Sequence, residues 1–159
     1  MDEFYVRAAA IGDAEEILGL AIELAGAVGD DPPEFEAVRD RLTELLDEPR
    51  AGVFVAEDAG EVVGVVSYWI KPDLAHGDTV VEVPMLAVAE DARRGGIGRA
   101  LLAKAQDAGA QEGAKLMELV ATPQNVVARE FYRSLGFVEA DVIPLEFVGD
   151  LQDPPDANA

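Results

Sequence analysis

The chain has 159 residues, enough for one domain with a sizeable core and too few to expect two. It contains no cysteine, which excludes disulfides, thiolate metal sites and a cysteine acyl-enzyme. Asp and Glu number 32 against 12 Lys and Arg, and the net charge of -20 argues against a nucleic-acid partner. No apolar run is long enough to span a membrane, and Met1-Asp2-Glu3-Phe4 lacks the basic and apolar regions of a secretion signal, so a soluble cytoplasmic protein without a membrane partner is expected.

In chain order, Phe4 to Ala8 reads as a strand, and Asp13 with Glu16 reads as an acidic capping box ahead of a helix to about Val28. Asp30-Asp31-Pro32-Pro33 breaks the chain and restarts it as a second helix ending near Asp47. Gly52 to Glu57 and Glu61 to Ile70 are strand-like runs joined by Asp58-Ala59-Gly60, a hairpin signal. Lys71 to Asp78 reads as a loop and Thr79 to Val88 as a strand. Pro84 within that strand removes a ladder donor, which predicts a bulge or a local kink there. A glycine loop then opens a helix to about Glu112. Leu116 to Ala121 is a predicted strand, Val126 to Ser134 a helix stopped by Gly136, and Phe137 to Val148 a terminal β hairpin. The boundaries expected are one domain over 1–148 and a disordered tail over 149–159, where Pro154-Pro155 and polar residues dominate.

The glycine loop is Arg93-Arg94-Gly95-Gly96-Ile97-Gly98-Arg99. It holds three of the nine arginines of an otherwise acidic chain. Gly95, Gly96 and Gly98 tolerate positive φ and allow close backbone approach. Ile97, Ala100, Leu101, Leu102 and Ala105 recur at helical spacing, so a helix begins near Gly96 and leaves its first N–H donors pointing into the loop. Those donors and the helix dipole favour a phosphate; the alternative is a glycine turn whose exposed arginines cap a surface helix. A Walker A loop is excluded because Arg99-Ala100 follow Gly98 where Lys and Ser or Thr are required. A dinucleotide fingerprint is excluded because its third glycine is missing.

Arg93, Gly96 and Gly98 match a pattern of Arg or Gln, two residues, Gly, one residue, then Gly or Ala. Downstream, Asn125-Val126-Val127-Ala128-Arg129-Glu130-Phe131-Tyr132-Arg133-Ser134-Leu135-Gly136-Phe137 reads as N-x-x-A-x-x-F-Y-x-x-x-G-F. The two segments, in this order, resemble the acetyl-CoA-binding elements of the GNAT N-acetyltransferase superfamily, and the resemblance runs from about Phe4 to Phe147. It implies an α/β domain whose mixed, mostly antiparallel sheet has about seven strands flanked by about four helices, splayed between strands four and five. It also implies acetyl-CoA as cosubstrate, with no metal, and direct attack by an amine. The pantetheine arm would lie in the splay against the strand that holds Leu86 and Val88. The loop Arg93, Arg94, Gly95, Gly96, Gly98 and Arg99 would take the pyrophosphate, and Asn125 would help position the cofactor.

Transfer from a thioester to an amine needs a proton for the leaving thiolate and a base for the amine. Tyr132 matches the family tyrosine near the sulfur, and a phenol with its ordinary pKa near 10 is protonated at neutral pH. The packing alternative is that Tyr132 borders a helical face shared by Ala128, Phe131 and Leu135. Glu82, eleven residues before Arg93, occupies the strand position where some members carry a glutamate base, and it is equally able to face solvent. His76 and Glu118 are weaker candidates. The amine partner is a small molecule, a peptide or protein N-terminus, or a lysine, and a homodimer is left open. A non-enzymatic acyl-CoA-binding or sensing module of the same fold is the competing reading. The acid excess has two readings of its own, attraction of a cationic substrate or adaptation to high salt. The spread of acid along the whole chain, with only Lys71, Lys104 and Lys115, favours the second.

Overall fold

Ala59 and Gly60 both adopt positive φ (51° and 81°), with Asp58 paired to Glu61 across them. This two-residue turn suits the right-handed twist of a hairpin and starts the sheet. In the computed structural model, which describes residues 4–152, the elements are β1 (Phe4–Ala8), α1 (Ala14–Val28), α2 (Phe35–Asp47), β2 (Ala51–Asp58), β3 (Glu61–Asp73), β4 (Asp78–Val88), α3 (Ile97–Gln111), β5 (Leu116–Glu118) and α4 (Val126–Ser134). Short 3-10 turns at Ile11–Asp13 and Glu90–Ala92 precede α1 and the glycine loop. The sheet runs β1-β2-β3-β4-β5, antiparallel as far as β4 and parallel between β4 and β5.

Side chains alternate across this sheet and build a core on each face. One face carries Ala56, Val66, Tyr68, Ile70, Val81 and Val83, packed on Ile97, Leu101, Leu102 and Ala105 of α3, with Phe131 and Tyr132 of α4 against them. The other carries Val53, Val55, Val62 and Val65, with Met85 and Ala87 of β4 beside them, packed on Ile17 and Leu20 of α1 and Leu42 of α2. Helices on both faces leave most of the β3 run buried, which is why its sequence is nearly continuously apolar.

Four sequence expectations are corrected. The sheet has five strands among the described residues, not about seven, because the terminal hairpin over Phe137 to Val148 is absent. Pro144 lacks a ladder donor in that segment. The segment's start is tied to α4 instead, where Glu139 accepts from Arg129 Nε at 2.7 Å and from Arg133 Nη2 at 3.3 Å. The loop expected over Lys71 to Asp78 is largely strand, since pairing continues as Lys71↔Val80, Pro72↔Thr79 and Asp73↔Asp78 and leaves a tip of four residues. β5 stops at Glu118 rather than Ala121. The Asp13 and Glu16 capping box does not form, because both carboxylates are used elsewhere. Asp13 accepts from Ala10 N–H at 2.8 Å and from both terminal nitrogens of Arg7 at 2.8 and 2.9 Å, and Glu16 accepts from Val62 N–H at 2.7 Å. Most of the expected disordered tail, 153–159, lies outside the described residues.

Candidate active site

The site begins where the sheet divides. β5 pairs with β4 only at Val80↔Leu116, Val81↔Met117 and Glu82↔Glu118, whereas β4 continues to Val88. Six residues of β4, about 20 Å of strand at the usual rise, have no strand partner on that edge. A bulge lies at the point of divergence. Ser67 pairs with Met85 and Trp69 with Glu82, so Tyr68 opposes both Val83 and Pro84. Pro84 is exposed at the extra position, where its missing N–H breaks no ladder bond. The predicted bulge is therefore present.

The bulge also sets which face each side chain takes. Val81 and Val83 point to α3, and after the extra residue Leu86 and Val88 do so as well, joining the cluster that contains Tyr132. Glu82 and its cross-strand partner Trp69 lie on the opposite face, the one that carries α1 and α2. Tyr132 and Glu82 thus lie on opposite faces of the sheet. Glu82 is ion-paired with Lys71, its diagonal neighbour across the ladder, and both side chains are nearly half exposed.

The glycine loop forms the far end of the gap. Gly96 has φ 86° and caps α3, and a Cβ built there would meet no atom within 4 Å, so the space beside it is open. The first helical bond is Ala100 N–H to Gly96 C=O at 3.0 Å. The N–H groups of Gly95 through Arg99 have no acceptor among the described residues. Of the glycines expected to use positive φ, Gly95 and Gly98 do not, and Arg94 does, at 73°. Gly98 is needed for a different reason, since a Cβ there would lie 3.0 Å from Phe131 Cζ, where α3 and α4 meet. Arg94 and Arg99 are exposed. Arg93 donates from Nε to Val88 C=O at 3.1 Å and approaches Glu23 of α1 at 3.7 Å. A row of free N–H groups, three cationic side chains and an open glycine surface fit a diphosphate of the CoA type.

On α4 the ring of Tyr132 is tilted against Phe131 and Phe137 at centroid distances of 5.4 and 5.6 Å. Burial raises its phenol above the ordinary tyrosine value, so the proton is held well past neutrality. Asn125 caps the helix, its Oδ1 accepting from Ala128 N–H at 3.2 Å. Asn125 also lines a pocket of about 430 Å³ with Thr122, Gln124 and Val126 on one side and Ala27 and Val28 of α1 on the other. Arg129 holds this corner by donating to Pro123 C=O at 2.7 Å while it binds Glu139.

His76 sits at the exposed tip of the β3–β4 hairpin against Asp73, 2.6 Å away, which raises its pKa. Glu118 is exposed on β5, where it pairs with Glu82 in register. Trp69 beside Glu82, Gln124 beside Asn125 and Glu23 beside Arg93 were not singled out in the sequence. Trp69 carried a signal as the single tryptophan in a strand next to the expected bulge, whereas the contacts of Glu23 span 67 and 70 positions and left none. Among the described residues no group of three or more His, Asp or Glu is placed to hold a metal, and no helix is long and apolar enough to cross a membrane.

Residues 16–137 match the acetyltransferase (GNAT) family. The chain is 30% identical over 135 residues to an aminoalkylphosphonate N-acetyltransferase of Salmonella typhimurium, covering 85% of each. It is 35% identical over 102 residues to an uncharacterized N-acetyltransferase of Methanocaldococcus jannaschii, covering 62% of this chain and 44% of that one. A mycothiol acetyltransferase of Amycolatopsis mediterranei is 36% identical over 108 residues, and the chain spans about a third of its length. Among solved structures, an aminoglycoside N-acetyltransferase in complex with CoA superposes with a TM-score of 0.81 at 21% identity, covering 92% of this chain and 95% of that one. A transcriptional regulator from Bacillus halodurans superposes at 0.80 and 23%, covering 91% and 99%; at these identities the likeness is one of fold.

Proposed function

The chain belongs to the acetyltransferase (GNAT) family, and we propose that it transfers acetyl from acetyl-CoA to a primary amine of a small molecule by direct attack. The observation that carries this reading is the run of unpartnered N–H groups from Gly95 to Arg99, at the end of an unpaired β4 edge and among three arginines. Its components match what a nucleotide diphosphate joined to an extended arm requires. Arg93, Arg94, Arg99 and the N–H groups of Gly95, Gly96 and Gly98 would hold the diphosphate. The free edge of β4 at Leu86 and Val88 would hold the arm, and the amide of Asn125 would fix its position. When bound, acetyl-CoA supplies an acetyl group activated as a thioester.

The chemistry of this chain's own residues follows from their two faces. Tyr132, kept neutral by burial, has a proton to give to a departing thiolate from the α3 and α4 side. Glu82, on the α1 and α2 side, is the nearest carboxylate on β4 to the divergence point and would take the amine proton directly or through water. Lys71 would have to yield its hold on Glu82 for that step. The pocket beside Asn125 offers the amine a route from the α1 side. The whole-length relative that acts on aminoalkylphosphonates makes small amines with an anionic end the first acceptors to try.

A panel of amines, including aminoalkylphosphonates, polyamines, aminoglycosides and lysine peptides, assayed for acetyl-CoA-dependent thiol release tests this reading. At least one amine is expected to accelerate release with matching formation of its amide. CoA binding without acceleration by any amine would favour the non-enzymatic acyl-CoA-binding module.

A further inference from the structure

We propose that Glu23 of α1 is a positioning residue that holds the entrance of the glycine loop in its ligand-ready shape. The inference rests on the reading that this loop takes the diphosphate of CoA. Glu23 Oε1 accepts from the N–H of Glu90 at 2.8 Å, and the same oxygen lies 3.7 Å from Nη2 of Arg93. Arg93 in turn donates from Nε to Val88 C=O at 3.1 Å. These contacts tie both ends of the Glu90–Ala92 turn to a packed helix. From Gly95 to Arg99 the backbone N–H groups have no partner among the described residues, so the path of the loop depends on how its entrance is held.

A glutamate near a diphosphate would be unfavourable if its charge faced the ligand. Here that charge meets a guanidinium. Of the five N–H donors of Arg93, one is committed to Val88 and those on Nη2 face Glu23, leaving Nη1 to a ligand. The carboxylate therefore acts as a bracket that orients Arg93. Glu23 and Ala27 are four residues apart on α1, hence on one helical face, and Ala27 lines the pocket beside Asn125. One rigid element thus touches both the loop and the pocket.

The test compares the native chain with Glu23→Ala and Glu23→Gln. Calorimetry with CoA, affinity for S-acetylpantetheine, which lacks the diphosphate, and amide exchange without ligand are measured for each. Glu23→Ala is expected to raise the Kd for CoA by about three- to fivefold, the scale of an exposed ion pair that orients Arg93. It should also speed exchange at Glu90 and leave S-acetylpantetheine affinity within about twofold, since that ligand does not use the arginine. Glu23→Gln keeps an acceptor for Glu90 N–H and is expected to keep its protection while losing part of the CoA affinity. Unchanged or tighter CoA binding in Glu23→Ala, or an equal loss for S-acetylpantetheine, would overturn the proposal. A native chain that does not bind CoA would instead overturn the reading of the loop itself, and the proposal with it.

Discussion

Tyr132 is the side chain on which the chemical reading turns, and its surroundings support two roles. Its ring packs between Phe131 and Phe137 beside the α3 core, while its phenol is held neutral by burial. Tyr132→Phe keeps the ring and removes the hydroxyl with its proton. If the phenol is the general acid, single-turnover acetyl transfer should fall about 100- to 10,000-fold with the Kd for CoA nearly unchanged. Equal single-turnover rates in the two forms would leave Tyr132 as packing alone. Tyr132 was singled out by the resemblance of the Asn125 to Phe137 segment to the family pattern, and helical period placed it only beside Ala128, Phe131 and Leu135 on one short helix. Glu82 was legible as a strand position, but its partner Lys71 was not, because a salt bridge between strands depends on a register that the bulge alters. Glu23 shows the limit more sharply. Its ligands, Glu90 and Arg93, come from a distant part of the chain, and no local pattern marks the contact.

Helices and the first four strands could be read because each carries its own period and its own breaker. The Pro32-Pro33 break, the Ala59-Gly60 turn and Gly136 after α4 (φ 95°) all stand where the sequence puts them. The extension of β3 through Lys71, Pro72 and Asp73 was hidden, because that tripeptide looks like a turn and becomes strand only through its partners on β4. The junction of β1, β2 and α1 was hidden for a related reason. Asp13, buried there, is bound twice by Arg7, which also donates to Glu57, so a residue expected to cap a helix ties strands to it instead. Arg7 holds the Asp13 carboxyl below the usual carboxylate range. A depressed pKa means that this contribution is full above the unfolded value near 3.9 and is lost as pH falls through the lower folded value. Asp13→Asn is expected to lower stability by about 2 kcal/mol at neutral pH, the range for hydrogen bonds to a charged group. Denaturant unfolding of both forms should show the difference shrinking below about pH 4. A difference that stays constant down to pH 2 would remove the ion pair from the account.

Across the whole molecule, composition and fold are separate matters. The net charge of -20 does not determine the sheet order, yet it sets a condition on stability. Self-repulsion is screened over about 3 Å at 1 M salt and about 30 Å at 0.01 M, so the melting temperature should rise with salt if the acid excess is an adaptation to high salt. A melting temperature that stays flat or rises on desalting would return weight to attraction of a cationic acceptor. The central claim, that the loop from Arg93 to Arg99 is the seat of CoA, is independent of that outcome. It depends on backbone donors and on Gly96 at φ 86° with open space beside it, where a branched side chain would be strained and would fill the ligand's approach. The most direct measurement is calorimetric titration of CoA, ATP and NAD into the native chain and into Gly96→Val, with the fold of the variant checked by its melt. The account predicts saturable binding of CoA alone to the native chain and at least a tenfold loss in a Gly96→Val protein that still melts cooperatively; equal binding of ATP, or CoA affinity unchanged by Gly96→Val, would contradict it.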